Sequence, residues 1–271
     1  MTYMKSRRLT QVITAVLYNC NITGFAKGQI YKGPTKAVCV PGLNCYSCPG
    51  AVGACPLGSL QSELVSSKYR FPYYILGVLI LLGVLLGRFI CGFLCPFGLI
   101  QELLYKIPTS KIKKSKVTKI LSYFKYVILV VLVIVFPLAL NMPGFCKYIC
   151  PAGTLEGGIL LGILNPEVAA LLGKLFTWKT IVLVLIIISS VICFRSFCRF
   201  ICPLGAFYSL FNRISFVRMV VDDTKCTNCG ACVKYCKMDI SRVGDRECVQ
   251  CGECRDICGA GAICRNRRTT P

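Results

Sequence analysis

The sequence predicts a mainly helical membrane protein with four transmembrane helices, arranged as two tandem two-helix units and followed by a small α+β domain. Hydrophobic residues make up 55% of the 271 residues, which is high for a soluble chain. Many of them fall in stretches long enough to cross a bilayer, which takes about 20 residues. In addition, eight of the 21 cysteines form two regularly spaced runs near the C-terminus.

Three apolar stretches are predicted to span the membrane: Phe71–Phe93, Ile120–Leu140 and Phe176–Phe194. Leu9–Phe25 is a weaker fourth span, and a cleaved signal peptide is its alternative. No A-x-A-like cleavage site follows it, which favours a retained helix. Polar residues interrupt Leu155–Gly173, which we interpret as a re-entrant or interfacial segment.

The basic residues predict the orientation of these spans. They cluster at the N-terminus, in six lysines from Lys106 to Lys119, and in four arginines from Arg195 to Arg218. The positive-inside rule places all three segments in the cytoplasm, so both termini of this multi-pass cell-membrane protein are expected there. The net charge of +21 is then explained by this signal and by contact with anionic membrane lipid. Nucleic acid is not an expected partner, because the basic residues flank spans.

Three basic residues lie within or beside the spans. Lys125 and Lys179, near span ends, are expected to snorkel towards the interface. Arg88 precedes Cys91 by about one turn and either snorkels or neutralises a metal cluster.

Residues 1–218 form the predicted membrane domain and residues 219–271 the cytoplasmic one. The latter carries the spacing C-x2-C-x2-C-x3-C twice, and the fourth cysteine of such a run ligates the other cluster. The predicted ligand sets of two [4Fe–4S] clusters are Cys226, Cys229, Cys232 and Cys258, and Cys248, Cys251, Cys254 and Cys236. Zinc, the alternative, is typically held by two pairs of ligands. The segment resembles bacterial two-cluster ferredoxins, although Lys237 and Gly259 replace the proline that usually follows the fourth cysteine.

A Cys-Pro-x-Gly motif occurs four times in the membrane domain, at Cys55, Cys95, Cys150 and Cys202. Three copies have another cysteine four residues earlier: Cys91, Cys146 and Cys198. Proline fits the first position of a helix, which leaves the cysteine at the N-cap. A thiolate or an anionic cluster there faces free backbone N–H groups. Inert buried cysteine is the alternative, but four copies in one chain favour ligation.

The motifs alternate with the spans, so that each two-helix unit has one outer and one inner copy. Two such units related by an axis along the membrane normal would bring like motifs together. The inner set then supplies four thiolates for a third [4Fe–4S] cluster: Cys91, Cys95, Cys198 and Cys202.

Six cysteines are expected on the outer face: Cys39, Cys45, Cys48, Cys55, Cys146 and Cys150. At least four of them are predicted to hold an iron–sulfur cluster. The six either ligate one cluster with two left over or form a local four-cysteine site plus a separate pair. Cys146 and Cys150 repeat the inner spacing, and Cys55 matches by its position in the unit. Cys45 and Cys48 remain equal alternatives for the fourth ligand. Disulfides are the competing prediction on an oxidising outer face.

Nearly the whole chain resembles the polytopic 4Fe–4S-binding membrane proteins of the NapH/NosR type. The resemblance lies in CGFLCPFG from Cys91, FCKYICPAGTLE from Phe145, FCRFICPLGA from Phe197 and the C-terminal cysteine runs. It implies electron transfer between a cytoplasmic or quinone donor and an extracytoplasmic partner. It also implies association with flavin-bearing or maturation proteins. The loop CVPGLNCYSCPG at Cys39 is not part of the minimal family pattern.

The chain contains no histidine. This excludes bis-histidine haem, histidine-ligated zinc and histidine acid–base catalysis. No G-x-G-x-x-G motif opens a nucleotide-binding unit. The sequence therefore predicts an iron–sulfur electron-transfer component of an oxidoreductase system, without haem. A transmembrane thiol–disulfide relay and a maturation or regulatory subunit with structural clusters are the alternatives, and iron content separates the relay from the first hypothesis.

Overall fold

The computed structural model describes residues 2–66, 72–112 and 114–267, and most of these residues are helical. The helices are Thr2–Tyr18, Ile22–Lys27, Pro56–Ser66, Tyr73–Leu86, Pro96–Leu104, Lys116–Leu140, Gly144–Tyr148, Gly153–Leu164, Pro166–Ala170, Lys174–Ile192, Ser196–Phe200, Pro203–Phe211, Ala231–Tyr235 and Glu253–Ile257. A 3-10 helix, Pro34–Ala37, and a π-helical turn, Ile90–Leu94, lie between them. The strands Val217–Val221 and Ile263–Arg267 pair antiparallel.

Two helices are long and apolar enough to cross a membrane: Lys116–Leu140, with 25 residues, and Lys174–Ile192, with 19. They correspond to the predicted spans Ile120–Leu140 and Phe176–Phe194, the third and fourth in chain order. Large apolar side chains such as Leu138 and Leu185 point outwards from them and are each 60% exposed. Such side chains need an apolar environment, which a bilayer supplies.

The second predicted span is shorter than expected. Its helix, Tyr73–Leu86, has 14 residues. The next residue, Gly87, ends the helix with a positive φ of 52°, which glycine adopts more easily than other residues. A helix of this length extends only about 21 Å. Beyond it, the chain forms the π-helical turn Ile90–Leu94, which contains Cys91. Phe71, the first residue of the prediction, lies outside the described residues.

The first predicted span also has different bounds. Its helix runs from Thr2 to Tyr18 and does not continue to Phe25. Asn19 donates to the side chain of Asn44 at 3.0 Å, and Asn21 donates to the carbonyl of Pro49 at 2.9 Å. These bonds turn the chain into the cysteine-rich loop, so the asparagines end the helix.

The segment interpreted as re-entrant forms two helices, Gly153–Leu164 and Pro166–Ala170. They meet at Asn165, whose side chain accepts a hydrogen bond from the N–H of Glu167 at 3.0 Å. An asparagine cap followed by proline at the first helical position starts a new helix here.

The C-terminal domain packs closely against the membrane domain. An atom added at the Cβ position of Gly92 would lie 2.2 Å from the carbonyl oxygen of Val249. Beside this contact, Glu247 binds Arg88 at 2.9 Å and Lys125 at 2.6 Å. Arg88 and Lys125 are fully buried, so the expectation that Lys125 snorkels is wrong. Both cations instead attach the C-terminal domain, because Glu247 offers them a carboxylate inside the interface.

Candidate iron–sulfur centres

The two predicted ligand sets of the C-terminal domain surround two separate spaces. One predicted set lines a cavity of about 210 Å³: Cys226, Cys229, Cys232 and Cys258. A second, narrower space is lined by the set Cys236, Cys248, Cys251 and Cys254. In each set the fourth cysteine comes from the other run, as the spacing predicts. We call these spaces the distal module site and the proximal module site.

The two module sites differ in exposure. Cys229 of the distal site is exposed, and the N–H of Ala231 together with the Thr227 side chain lowers its pKa. A lowered pKa favours the thiolate, which is the form that binds iron. Cys248 of the proximal site is buried and follows directly after Glu247 in the interface. The distal site is therefore accessible from outside the chain, whereas the proximal site lies against the membrane domain.

The four Cys-Pro-x-Gly motifs are each followed by a helix, as predicted. Cys95 and Cys202 are the N-caps of Pro96–Leu104 and Pro203–Phe211. The N–H of Gly205 donates to the sulfur of Cys202 at 3.3 Å, and that of Gly153 donates to Cys150 at 3.3 Å. The motif glycine thus turns a free helix N-terminal N–H onto the sulfur of the motif cysteine.

The inner cysteines Cys91, Cys95, Cys198 and Cys202 are buried in one apolar cluster, which also contains Cys39, Cys55 and Cys150. Gln101, in the helix that Cys95 caps, donates to the sulfur of Cys198 at 3.0 Å, so the inner motifs of the two units meet. Burial and the thiols of Cys198 and Cys91 raise the pKa of Cys95 to about 12. The structure thus brings together the set that the repeat predicts. We call it the inner membrane site.

Four outer cysteines share a second site. Cys45, Cys55, Cys146 and Cys150 line a cavity of about 550 Å³. Burial raises the pKa of Cys55 to about 12, and the neighbouring thiol of Cys150 acts in the same direction. We call this group the outer membrane site. Cys45 lines this cavity and Cys48 does not, so the structure separates two cysteines that the sequence could not rank as the fourth ligand.

The two remaining outer cysteines are also buried. The carbonyl of Cys48 accepts a hydrogen bond from the N–H of Ala51 at 3.1 Å. Cys39 is buried and forms an isolated β-bridge with Ala54. Neither lines the outer cavity. All 21 cysteines are free thiols in the structure.

The inner and outer membrane sites are separated by one short segment, residues 41–45, which we call the bridging segment. A Cβ added at Gly42 would lie 3.2 Å from the Cα of Cys95, whereas Leu43 and Asn44 line the outer cavity together with Cys55. Consecutive Cα atoms are about 3.8 Å apart, so the two sites lie on the order of 10 Å from one another. The sequence argument expects sites at opposite membrane faces, whereas the bridging segment enters the core and brings them close.

Two side chains of the second unit hold the bridging segment. The Tyr208 hydroxyl donates to the carbonyl of Pro41 at 3.0 Å, and Glu156 accepts from the N–H of Cys45 at 2.6 Å. Burial, followed by the thiols of Cys91, Cys55 and Cys95, raises the pKa of Tyr208. Tyr208 is therefore close to both membrane sites.

A buried ion network fixes the backbone of the inner membrane site. Arg195 binds Glu102 at 2.6 Å and donates to the carbonyl of Cys91 at 2.6 Å. Arg7 binds the same carboxylate through two hydrogen bonds of 2.8 Å. Burial opposes the ionisation of Glu102, but the guanidinium groups of Arg195 and Arg7 outweigh it and lower the pKa of the carboxyl. Sequence reasoning missed this network, because its members are far apart along the chain.

Sequence reasoning also missed two glutamines. Gln61 and Gln101 are buried, and each donates to the cysteine that stands four residues before a motif cysteine of the second unit, Cys146 and Cys198 respectively. A signal was present, since both follow their motif cysteine by six residues in the pattern C-P-x-G-x-x-Q.

Each of the four sites supplies the four thiolates that a [4Fe–4S] cluster requires. Such a cluster binds each thiolate through a different iron, whereas a zinc ion gathers its ligands around one centre. Among the described residues, no three cysteine or carboxylate side chains are arranged around a single metal ion.

Comparison with known protein families supports the same cofactor. A family model described as a 4Fe-4S binding domain matches residues 71–115, 124–161 and 175–219. A further 4Fe-4S binding domain matches residues 219–240. The chain carries 4Fe–4S binding domains. The number of clusters and their positions remain predictions from the residues.

Several known proteins are similar to this chain. An uncharacterised protein of Methanocaldococcus jannaschii is 28% identical over 196 residues, which cover 69% of this chain and 67% of the relative. The methylamine utilization ferredoxin-type protein MauN of Methylorubrum extorquens is 26% identical over 239 residues, covering 85% of this chain and 73% of MauN. The ferredoxin-type protein NapH of Haemophilus influenzae is 25% identical over 165 residues, covering 59% of this chain and 50% of NapH.

These similarities confirm the relationship to NapH and extend it to MauN, whereas the likeness to NosR stays a prediction. The chain contains 4Fe–4S binding domains, and its similarity to the ferredoxin-type proteins NapH and MauN implies electron transfer. The matched region is only half the length of the Haemophilus protein. No solved structure matches the chain.

Proposed function

We propose that this protein carries electrons across the cell membrane through four [4Fe–4S] clusters. Electrons enter from a cytoplasmic donor at the distal module site. They pass through the proximal module site and the inner membrane site to the outer membrane site. There they leave to an extracytoplasmic redox partner, for which a flavin-bearing protein is the candidate. The clusters supply one-electron chemistry, and the protein supplies their ligands, spacing and insulation.

The observation that carries this proposal is the continuous contact between the sites. Cys254 of the proximal site packs against the same small apolar cluster as Cys232 and Cys258 of the distal site. Gly92, next to Cys91, contacts Val249, next to Cys248. The bridging segment then connects the inner site to the outer one. Because a bilayer core is about 30 Å thick, a series of short steps makes transfer across it feasible.

The membrane part of the proposal is supported by two long apolar helices and their outward apolar side chains. The lysine-rich segment before Lys116–Leu140 favours a cytoplasmic position for the adjacent C-terminal domain. In agreement with this, Lys114 of that segment donates to the carbonyl of Val233 in the C-terminal domain at 2.7 Å. We therefore propose a multi-pass topology with both termini in the cytoplasm.

Transfer across liposomes tests this function. The purified protein is reconstituted with the C-terminal domain outwards, ferricytochrome c is enclosed, and Ti(III) citrate is added outside as an impermeant reductant. We expect the wild type to reduce the enclosed cytochrome. The Cys150→Ala protein should reduce it only at the protein-free background rate, because the outer membrane site loses a ligand. The module clusters of this variant should remain reducible from outside.

A Cys150→Ala protein that reduced the enclosed cytochrome at the wild-type rate would rule out the outer membrane site as the exit. A Cys264→Ala protein is the matched control, because Cys264 is exposed and belongs to none of the four sites. Its rate should equal that of the wild type. Iron near the level of two clusters in the wild type would favour a thiol–disulfide relay instead.

A further inference from the structure

The residue six positions after each motif cysteine has a consistent role in this fold. In the first unit it is Gln61 or Gln101, and in the second it is Glu156 or Tyr208. Glu156 and Tyr208 hold the bridging segment, as described above. The two glutamines face sulfur instead. The motif therefore extends beyond Cys-Pro-x-Gly to the residue six positions after the cysteine, which connects the two units.

The contacts of the two glutamines are nearly the same. The amide nitrogen of Gln101 donates to the sulfur of Cys198 at 3.0 Å, and its oxygen accepts from the N–H of Phe197 at 3.1 Å. The amide nitrogen of Gln61 donates to the sulfur of Cys146 at 3.2 Å, and its oxygen accepts from the N–H of Phe145 at 3.1 Å. Gln101 is 1% exposed and Gln61 is 0% exposed.

The main chain fixes which end of each amide faces the sulfur. A backbone N–H can only donate, so the amide oxygen has to face Phe145 or Phe197. This leaves the NH2 group directed at the cysteine. A leucine of similar volume would also fill the space between the units, but it would give the sulfur no hydrogen. The amide is therefore placed to act on the sulfur itself, in addition to packing the helices.

We propose that Gln61 and Gln101 are matched positioning residues that raise the reduction potentials of the outer and inner membrane clusters, respectively. This inference rests on the proposed clusters at these two sites. Reduction adds negative charge to a cluster and its ligand sulfurs, so an N–H···S hydrogen bond stabilises the reduced form more than the oxidised form. Burial strengthens the effect, because little water competes for the sulfur. Gln61 acts on the outer membrane site, because it donates only to Cys146, and Gln101 acts on the inner membrane site, because it donates only to Cys198.

Redox titration of the full chain, followed by electron paramagnetic resonance, tests the inference. The signals of the two membrane clusters are first assigned by their loss in Cys95→Ala and Cys150→Ala. In Gln101→Leu, the midpoint potential of the inner cluster should fall while that of the outer cluster stays unchanged. Gln61→Leu should do the reverse. A tenfold change in the ratio of reduced to oxidised cluster, which is the size we expect, corresponds to ~59 mV for one electron.

A second pair of variants covers the case in which a leucine protein does not assemble. Gln101→Glu and Gln61→Glu keep the oxygen that accepts from the phenylalanine N–H but lose the donor to sulfur. They should therefore lower the same potential as the leucine variants. The two module clusters serve as internal standards, because no glutamine of this pair reaches them.

The outcomes separate this inference from the proposed function. Full iron content with unmoved potentials in both the leucine and the glutamate variants would overturn the role of the glutamines alone. Wild-type iron at only the level of the two module clusters, about eight atoms, would overturn the membrane clusters and the inference with them.

Discussion

Replacing Gly92 with valine should detach the C-terminal domain from the inner membrane site without removing any cluster ligand. Even the first atom of the new side chain would lie 2.2 Å from the carbonyl oxygen of Val249, where the main chain cannot yield easily. Overpacking of this kind costs about 1–3 kcal/mol, which would lower the docked fraction roughly 5- to 150-fold. Electron transfer from the proximal module site to Cys91 depends on that contact, so the rate should fall with the docked fraction.

The liposome assay measures this loss directly, and hydrogen exchange of residues 246–250 reports the undocking. Iron content should stay at the wild-type level. Gly77→Val is the matched control, because Gly77 lies in the helix Tyr73–Leu86 with no atom within 4 Å of an added Cβ. This control makes the same glycine-to-valine change nearby in the chain, and it should leave the rate of electron transfer unchanged. A Gly92→Val protein with unaltered transfer would show that electrons do not pass through this contact.

The placement of the cysteines was predictable from spacing alone. Two cysteine runs with three-residue steps predict their own ligand sets, and the structure surrounds two spaces with these sets. The Cys-Pro-x-Gly repeat likewise predicts helices that begin at proline and the convergence of like motifs. Ligation itself remains a prediction in all four sites. These inferences succeeded because each depends on residues that are close in sequence or related by the repeat.

The parts that the sequence could not predict depend on contacts between distant segments. Lys125 is buried because Glu247, 122 residues away, offers it a carboxylate. The first helix ends at Tyr18 because Asn19 binds Asn44 of the cysteine-rich loop. The apolar composition of Leu9–Phe25 predicts a span that continues to Phe25. Composition cannot show that a distant loop enters the core and ends the helix early. Two of the four predicted spans are confirmed as long apolar helices.

The bridging segment also explains why Cys45 and Cys48 could not be separated by sequence. Both belong to one loop and both follow Cys39 at distances that fit a local site. Glu156 distinguishes them, because its carboxylate accepts from the N–H of Cys45 and draws that residue to the outer cavity. Cys48 lies three residues later, and its carbonyl accepts from the N–H of Ala51 within the loop. A contact across 111 residues thus selects the ligand.

Cys45→Ala should therefore remove the outer membrane cluster, whereas Cys48→Ala should not. Four clusters correspond to about 16 iron atoms per chain, and loss of one leaves about 12. Cys45 is the ligand that the first loop contributes to the cavity beside Cys55, Cys146 and Cys150, so three thiolates would remain without it. Iron and sulfide analysis of protein purified without oxygen measures the loss, and the outer signal in the redox titration should disappear with it.

Cys48→Ala and Cys39→Ala are the matched controls, since both cysteines are buried in the same loop and neither lines the outer cavity. Both variants should keep about 16 iron atoms. The reverse pattern, with iron lost in Cys48→Ala and retained in Cys45→Ala, would contradict the outer membrane site as defined here. Equal iron near the level of three clusters in all three variants and in the wild type would mean that these outer cysteines hold no cluster. The disulfides that compete with ligation on an oxidising face would then become the better account of the loop.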